Sequence, residues 1–349
     1  MANSIYVGMS GGVDSSITAA LLVEQGYNVT GVYMKNWTQD LPGMKCPWAD
    51  DLADAKRVAV QLGIDFKVFD FEKEYRHHVV DYMIDEYRAG RTPNPDVMCN
   101  QEVKFKLFLE AALADGADMV ATGHYARVVD GELRLAEDVN KDQTYFLYRV
   151  TKHALERTLF PLGDYTKPQV REMAEQRGLF TAAKKDSQGI CFVGQIGIRE
   201  FLSEYVDTVP GDIVDKQADT KFGRHDGAIF YTLGQRHGLD IGGGLPYYVV
   251  GKDMDKNVVY VSTDLNDTAL WSDAISLIHE HWIDGERPEN GDYHVRIRHR
   301  APLVKAQVTF GEDSLTVRVD DQLRAITAGQ SVVFYRGSKC LGGAIVQQL

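Results

Sequence analysis

Apolar runs alternate with amphipathic segments along the first 160 residues of the chain. The apolar runs predict buried strands at residues 5–9, 29–34, 65–69 and 119–122. Apolar residues at helical spacing between these runs predict helices at residues 17–24, 49–62 and 75–87. This alternation predicts an α/β domain in which helices cover both faces of a parallel sheet.

The pattern changes near Asp207 to short strands separated by glycine turns. From about Ala269 onward almost every segment predicts a strand, including residues 294–300, 304–310 and 314–319. Short strands separated by turn residues are typical of a small barrel. We therefore expect an α/β domain over residues 1–206, a small central α+β domain over 207–268 and a C-terminal β-barrel over 269–349.

The composition of the chain limits the classes of protein to which it can belong. A chain of 349 residues is long for a single core, which agrees with more than one domain. The sequence has no signal segment and no apolar run that would span a membrane, so we expect a cytoplasmic protein that does not bind membranes. Four scattered cysteines without a Cys-x-x-Cys pair argue against a disulfide framework and against a zinc site. The net charge of −12 is unusual for a nucleic-acid-binding protein, although a local basic groove can lie on an acidic molecule.

A glycine-rich segment, Ser10-Gly11-Gly12-Val13-Asp14-Ser15-Ser16, joins the first predicted strand to the first predicted helix. Backbone N–H groups of such a turn, with the helix N-terminus behind them, can hold phosphate oxygens. The segment is not a Walker loop, because Val13-Asp14 stands where that loop has Gly-Lys. We expect Asp14 to hold a magnesium ion carried by the nucleotide.

This segment resembles the pyrophosphatase loop (PP-loop) of the N-type ATP pyrophosphatases. These enzymes cut ATP between the α- and β-phosphates and attach AMP to a carbonyl oxygen. The resemblance implies ATP and Mg²⁺ as cofactors and an adenine-nucleotide α-hydrolase-like sheet. It does not identify the acceptor of AMP.

Two further segments each contain a cysteine. Asn94-Pro95-Asp96 is stiffened by prolines and leads to Cys99, and Cys191 follows the basic pair Lys184-Lys185. Neighbouring lysines lower the pKa of a thiol, which favours a nucleophile or a sulfur carrier. On local sequence alone, a packed, inert cysteine is the better explanation for Cys99 and an equally good one for Cys191.

Together these segments resemble one family, the tRNA-specific 2-thiouridylases, over nearly the whole chain. The resemblance lies in residues 8–16, 34–37, 94–100, 123–127, 141–143, 187–192, 231–239 and 329–330. It implies a PP-loop domain, a central domain and a tRNA-contacting C-terminal β-barrel. It also implies an enzyme that adenylates the C2 oxygen of the wobble uridine and replaces that oxygen with sulfur, releasing AMP and pyrophosphate.

The resemblance assigns roles to individual positions. ATP would contact Gly8, Met9, Ser10, Gly11, Gly12, Val13, Asp14, Ser15, Met34 and Gly123. The target base would contact Asn94, Pro95 and Asp96, with Asp96 an acid or base. Cys191 would carry the persulfide and Cys99 would be its catalytic partner, with a transient disulfide between them. The tRNA would also contact His124, Lys141, Asp142, Gln143, Arg298, His299 and Gln330.

The implied partners are tRNAs of the lysine, glutamate and glutamine type and a protein that donates persulfide sulfur. Two alternatives remain at the level of sequence. One is a PP-loop ligase or amidotransferase that acts on a small molecule, although nothing in the chain resembles a glutaminase domain. The other is a non-catalytic RNA-binding scaffold, in which Cys99 and Cys191 could be replaced by serine without loss.

Strand alternation over residues 294–300 gives one further expectation. It would place His294, Arg296, Arg298 and Arg300 on one face, with Val295 and Ile297 on the other. Such a strip of arginines would suit the phosphates of tRNA. A solvated face paired with nearby carboxylates is the alternative.

Overall fold

A computed structural model of the chain describes residues 3–40, 46–185, 197–239, 241–242, 244, 246–312 and 314–347. The strands of the N-terminal part are β1 (Ser4–Gly8), β2 (Asn28–Lys35), β3 (Asp65–Asp70), β4 (Met119–Ala121), β5 (Arg127–Val129), β6 (Glu132–Arg134) and β7 (Thr158–Leu159). Five of them form a parallel sheet in the order β3-β2-β1-β4-β7. The predicted parallel sheet is confirmed, and each of its predicted strands is present within one or two residues.

Helices connect and cover these strands. They are α1 (Val13–Glu24), α2 (Trp48–Leu62), α3 (Glu72–Tyr75), α4 (Tyr82–Arg88), α5 (Pro95–Met98), α6 (Phe108–Ala114), α7 (Thr144–Leu147), α8 (Lys152–Leu155), α9 (Lys167–Gln176) and α10 (Ile198–Ser203). One apolar cluster containing Ile17 and Val58 packs on one face of the sheet, and a second containing Val103 and Phe108 packs on the other.

Two of the helical stretches contain π-helical turns. Arg76–Asp81 joins α3 to α4, and Cys99–Leu107 joins α5 to α6. The predicted helix over residues 75–87 is therefore confirmed as helical, but its hydrogen bonds are partly of the i→i+5 kind. π-Helical turns are rare and are frequently found at functional sites, and here one begins at Cys99.

A four-stranded sheet forms the central domain. Its strands are β8 (Gly211–Asp215), β9 (Thr220–His225), β10 (Tyr248–Asp253) and β11 (Val258–Ser262), in the order β10-β11-β8-β9. Their inward-facing side chains enclose a small apolar core that includes Ile213 and Val259.

The C-terminal domain is a closed barrel. Its strands are β12 (Trp271–Trp282), β13 (Gly291–Arg296), β14 (Val304–Phe310), β15 (Leu315–Arg324), β16 (Ser331–Arg336) and β17 (Lys339–Val346). The strands run in the order β12-β15-β14-β13-β16-β17, and β12 also pairs with β17, which closes the ring. The hairpin β5–β6 of the first domain extends the barrel sheet, because Arg134 pairs with Lys339.

The strand predicted over residues 294–300 is wrong beyond Arg296. The chain turns there: the Ala301 amide donates to the Arg298 carbonyl oxygen, and Arg300 has a positive φ of 63°. Arg296 is 5 % exposed, whereas Arg298 and Arg300 are exposed. The continuous arginine strip therefore does not exist.

The barrel and the first domain share one apolar core. Tyr335 and Cys340 of the barrel belong to the same buried cluster as Val103 and Phe108. Across the parts of the chain that the structure describes, no helix is both long enough and apolar enough to cross a bilayer.

Candidate active site

The glycine-rich loop lies between β1 and α1, at the carboxyl edge of the sheet. Gly11 has a φ of 73°, and a Cβ there would lie 2.5 Å from the backbone oxygen of Asp51, so the loop is pressed against α2. Gly12 caps α1 in an extended conformation, with no side-chain hydrogen bond to the first N–H groups of the helix. Since those groups have no capping side chain, the N-terminus of α1 is suited to bind an anion.

The other residues expected to contact ATP lie at the same edge. Met34 on β2 reaches Gly8 on β1, where a Cβ would lie 2.9 Å from the Met34 Cε atom. Gly123 follows β4 and is in contact with α1, because a Cβ there would lie 2.9 Å from Ser15 N. The side chains of Met9 and Val13 are buried, so only their backbone can face a nucleotide.

Ser10 and Ser15 stabilise the loop from within. The Ser15 hydroxyl accepts a hydrogen bond from Ser10 N at 3.2 Å and donates to the Gly12 carbonyl oxygen at 3.1 Å. These bonds fix the curl of the loop before any ligand binds.

Asp14 forms an ion pair that the sequence did not indicate. The ammonium of Lys167, at the start of α9, lies 2.7 and 2.8 Å from the two carboxylate oxygens of Asp14. The Tyr125 hydroxyl donates to the same carboxylate at 2.9 Å. Lys167 is 7 % exposed, and its own amide donates to Asp138.

Lys167 contacts the carboxylate expected to hold magnesium carried by ATP. Both oxygens of Asp14 are bound by its ammonium, which would repel a divalent cation at the same carboxylate. Within the described ranges, no group of three or more His, Cys, Asp or Glu side chains could hold a metal. Magnesium that arrives with ATP would have to displace Lys167 from Asp14, and this contact stays a prediction.

A second lysine contacts the back of the loop. Lys184 donates to the Gly11 carbonyl oxygen at 3.2 Å, to Asp51 at 3.0 Å and to Asp54 at 2.7 Å. Burial lowers the pKa of Lys184, but the hydrogen bonds to the two carboxylates outweigh it, so that the pKa is raised overall. The Lys184 ammonium therefore neutralises the carboxylates of Asp51 and Asp54 on α2, on the side of the loop that faces this helix.

Asn94, Pro95 and Asp96 lie at the start of α5, one turn before Cys99. Burial raises the pKa of the Asp96 carboxyl group, and the ammonium of Lys104 partly opposes this shift. Cys99 is buried, with 5 % of its surface exposed. Cys191 lies outside the described residues, so its pairing with Cys99 stays a prediction.

His124 connects the two halves of the site. It follows Gly123, and its Nε2 atom lies 3.4 Å from the Lys104 ammonium, while Nδ1 lies 2.7 Å from the Thr122 hydroxyl. An ammonium can only donate, so Nε2 must be the acceptor and the ring must be neutral. Burial and, secondarily, Lys104 hold the pKa of His124 well below its usual range.

The imidazole ring of His124 lies in the protein interior, although the sequence predicts that it contacts tRNA. The ring is 8 % exposed and both nitrogens are engaged, so in this conformation it positions Lys104, and its contact with tRNA stays a prediction. Lys104 itself was not indicated by sequence reasoning, although it lies two turns after Asp96 on the same helical stretch.

Lys141, Asp142 and Gln143 lead into α7, where Asp142 is 2 % exposed. Its carboxylate accepts from Arg296 at 2.6 Å, from the Thr144 hydroxyl at 2.6 Å and from Ala136 N at 2.9 Å. Gln143 accepts from Tyr125 N. The carboxylate of Asp142 is therefore committed to the protein interior.

The barrel brings the remaining expected tRNA contacts toward Asn94. Gln330 donates to the Thr92 carbonyl oxygen at 3.0 Å, and the Asn94 side chain lies near the Tyr145 side chain of α7. The His299 ring lies 4.5 Å from that of Phe146. Arg298 is exposed near the same turn. Asn94, His299 and Gln330 thus surround α7.

Cys46 and Cys340 are both buried, and burial raises the pKa of each thiol. The Cys46 thiol donates to the Trp37 carbonyl oxygen. Both thiols are therefore packed in the protein interior.

Comparisons with known proteins cover the chain from end to end. A family model described as tRNA methyl transferase HUP domain matches residues 3–195, one described as tRNA methyl transferase PRC-barrel domain matches 199–263, and one described as aminomethyltransferase beta-barrel domain matches 272–346. The tRNA-specific 2-thiouridylases MnmA of Bacillus thuringiensis (strain Al Hakam) and Bacillus anthracis are each 48 % identical to it over 353 aligned positions, which cover 99 % of this chain and 95 % of each relative.

Likeness among solved structures is weaker. The U34-tRNA thiolase NcsA from Methanococcus maripaludis matches with a TM-score of 0.38 and 19 % identity, over 58 % of this chain and 64 % of that one. A likeness at this level carries no conclusion about the site.

Proposed function

This chain belongs to the tRNA-specific 2-thiouridylase family, and we propose that it is an ATP-dependent tRNA uridine 2-sulfurtransferase. The observation that carries the proposal is that the adjacent residues Gly123 and His124 connect the two halves of the site. Gly123 backs the phosphate loop, and His124 holds Lys104 beside Asp96, one turn from Cys99. ATP bound at the loop would therefore lie close to a target uridine held at Asp96.

The first step is adenylation of the target base. The C2 oxygen of the wobble uridine attacks the α-phosphorus of ATP, an O–P bond forms, and pyrophosphate leaves with the electron pair of the bond that breaks. The loop N–H groups and the N-terminus of α1 hold the phosphates. Asp96, whose burial raises its proton affinity, takes or gives the proton of the base.

The second step replaces oxygen by sulfur. The terminal sulfur of a persulfide on Cys191 reaches C2, directly or as sulfide released by Cys99, and AMP leaves with the former C2 oxygen. In either route Cys99 attacks the inner sulfur of Cys191, a Cys99–Cys191 disulfide forms, and a thiol reductant restores both thiols. The target base leaves its stack to reach the site.

Partners follow from this chemistry. We propose tRNAs of the lysine, glutamate and glutamine type, a protein persulfide donor, and the cytoplasm as the place of action. Mg²⁺ enters as a counter-ion carried by ATP, and no step depends on a metal held by the protein. Lys141, Gln143, Arg298, His299 and Gln330 remain the proposed tRNA contacts, with Asp142 supporting them from the interior.

The proposed domain limits remain 1–206, 207–268 and 269–349. Helix α10 packs Phe201 and Leu202 into the buried cluster that the first domain shares with the barrel.

Serine variants of the two proposed sulfur-handling cysteines test the function. With ATP, tRNA and a protein persulfide donor, we expect wild type to form 2-thiouridine. Cys191→Ser should not become persulfidated at that position, whereas Cys99→Ser should accept sulfur on Cys191 and then stop. Cys46→Ser is the matched control, since it also removes a buried thiol. Full thiolation by Cys99→Ser or Cys191→Ser, with added sulfide excluded, would contradict the proposal.

A further inference from the structure

We propose that the junction between the central domain and the barrel binds phosphates of the tRNA strand that carries the target uridine. The binding cations are Arg236 of the central domain and Arg298 and Arg324 of the barrel. This inference rests on the proposed tRNA substrate, and it gives the central domain a part in holding that substrate. Arg236 belongs to residues 231–239, which contribute to the resemblance to the 2-thiouridylases but have no part in the chemistry described above.

Residues 231–239 form a turn that is fixed by its own side chains. The Thr232 amide donates to the Gln235 side-chain oxygen at 3.0 Å, and the Gln235 side-chain nitrogen donates to the His237 carbonyl oxygen at 2.9 Å. Arg236 lies between these anchored residues and is exposed. The turn therefore presents the Arg236 side chain to solvent from an ordered backbone, which lowers the entropy cost of binding.

This turn contacts the barrel at Ala325. A Cβ on Gly234 would lie 2.7 Å from the Ala325 Cβ atom, so the two segments are pressed together. Arg298 donates to the Ala325 carbonyl oxygen, and Arg324 directly precedes Ala325. Arg236 follows Gly234 by two residues. Arginines from two domains therefore gather around one contact.

Arg324 is also held by the central domain. Its guanidinium carbon lies 5.1 Å from the centroid of the Tyr248 ring, at the start of β10. Val249, the next residue of β10, accepts from the Gly234 amide at 2.8 Å and donates to the Gln235 carbonyl oxygen at 2.9 Å. A guanidinium that lies over an aromatic ring keeps the N–H donors at its edge available for a phosphate.

The three arginines form no ion pair with any carboxylate among the described residues. Elsewhere on this acidic chain arginines are matched by neighbouring carboxylates, as Arg199 is by Asp226 and Arg287 is by Glu280. Guanidinium groups that lack a carboxylate can bind phosphate oxygens through paired N–H donors. The junction is therefore a local positive surface on a molecule whose net charge is −12.

The same junction reaches the segment proposed to hold the target base. The hydroxyls of Thr232 and Thr92 lie 3.2 Å apart, and the Thr92 carbonyl oxygen accepts from Gln330 of the barrel. Asn94 follows Thr92 by two residues. A base that leaves its stack takes its own backbone toward the protein, and phosphate contacts fix the register of that backbone without reading sequence. The arginines would supply these contacts beside the target uridine.

The salt dependence of tRNA binding tests this assignment. Binding of an unmodified tRNA of the lysine type is measured by fluorescence anisotropy over a series of KCl concentrations. We expect Arg236→Ala to lower the slope of log affinity against log salt concentration by up to about 1, because one phosphate contact and its released counter-ion are lost. Arg236→Lys keeps the charge and should keep the slope of wild type.

A double variant and a matched control complete the experiment. Arg236→Ala combined with Arg324→Gln should lower the slope by up to about 2, because the two arginines bind different phosphates. Lys256→Ala removes one exposed charge from the same domain, but that ammonium is already paired with Asp253 at 3.0 Å, so the slope should not change. Thermal melts check that each variant is folded.

Two results would overturn the inference. One is a slope that Arg236→Ala leaves unchanged in folded protein. The other is an equal loss in Lys256→Ala, which would show a general effect of net charge. Wild-type protein that binds tRNA with this arginine dependence but forms no 2-thiouridine would contradict the proposed function instead, so the two failures are distinguishable.

Discussion

Burial and one nearby ammonium act in opposite directions on the Asp96 carboxyl group. Burial raises its pKa, and Lys104 lowers it. Lys104 is held in turn by the neutral ring of His124, since the imidazole nitrogen accepts from the ammonium. The proton affinity of Asp96 therefore depends on a lysine two turns away and on a histidine from a different segment.

Lys104→Met should move the pH profile of tRNA thiolation. Without the ammonium, the opposing effect on Asp96 disappears and its pKa rises further. The limb of kcat/KM that belongs to Asp96 should therefore move to higher pH, whether Asp96 acts as base or as acid. The assignment of that limb is checked with Asp96→Asn, which should lack it. Lys104→Arg should restore the original profile. A limb that stays in place or moves to lower pH in Lys104→Met would contradict the account.

At the scale of single residues, the sequence predicts the motif residues but not the side chains that pair with them. The loop from Ser10 to Ser15 is recognisable because its function depends on a contiguous backbone turn. Lys167 and Lys104 are ordinary surface-type residues in sequence, and their roles come from pairing with Asp14 and His124 across the fold. Such pairing leaves no local signal.

Among the elements, α7 is held to the barrel by a buried ion pair. Arg296 at the end of β13 donates to Asp142 just before α7, and their side chains are 6 % and 1 % exposed. Thr144 also donates to Asp142. The pair therefore fixes α7 where the expected tRNA contacts Asn94 and His299 gather.

Asp142→Ala should destabilise the protein by about 3–5 kcal/mol, because it leaves the Arg296 charge buried without its partner. Urea unfolding measures the change. Lys152→Ala is the comparison, because it breaks an exposed pair with Asp284 and should cost at most about 1 kcal/mol. If Asp142→Ala were as stable as wild type but bound tRNA poorly, Asp142 would be a direct RNA contact.

Strand prediction failed where tertiary contacts override alternation. Residues 294–298 alternate between basic and apolar positions, and a strand is predicted to continue to Arg300, yet β13 ends at Arg296. Arg296 points inward because Asp142 is there to neutralise it, and the chain then turns with Arg300 at positive φ. By contrast, β14 begins and ends where the alternation predicts.

At the scale of the whole molecule, the N-terminal domain and the barrel are joined by a shared sheet, a hydrogen bond and a shared apolar core. The hairpin β5–β6 extends the barrel sheet, and Gln330 of the barrel binds the backbone of Thr92 next to Asn94. The barrel therefore reaches the segment proposed to hold the target base. Three domain types were foreseeable from the change in periodicity, but their shared core was not, because it joins residues far apart in sequence.

The net charge of −12 remains compatible with an RNA substrate in this arrangement. Many carboxylates are matched locally, as Asp51 and Asp54 are by Lys184, while Arg298 and Arg300 are exposed beside α7. If tRNA binds at this turn as proposed, it meets a local positive charge despite the negative charge of the whole chain.

The fate of the uridine C2 oxygen tests the central claim most directly. A tRNA carrying ¹⁸O at C2 of the wobble uridine is incubated with the protein, ATP and a persulfide donor, and AMP and nucleosides are analysed by mass spectrometry. Adenylation at that oxygen predicts that each 2-thiouridine formed is accompanied by one AMP carrying ¹⁸O. Recovery of the label in water, with unlabelled AMP, would contradict the account.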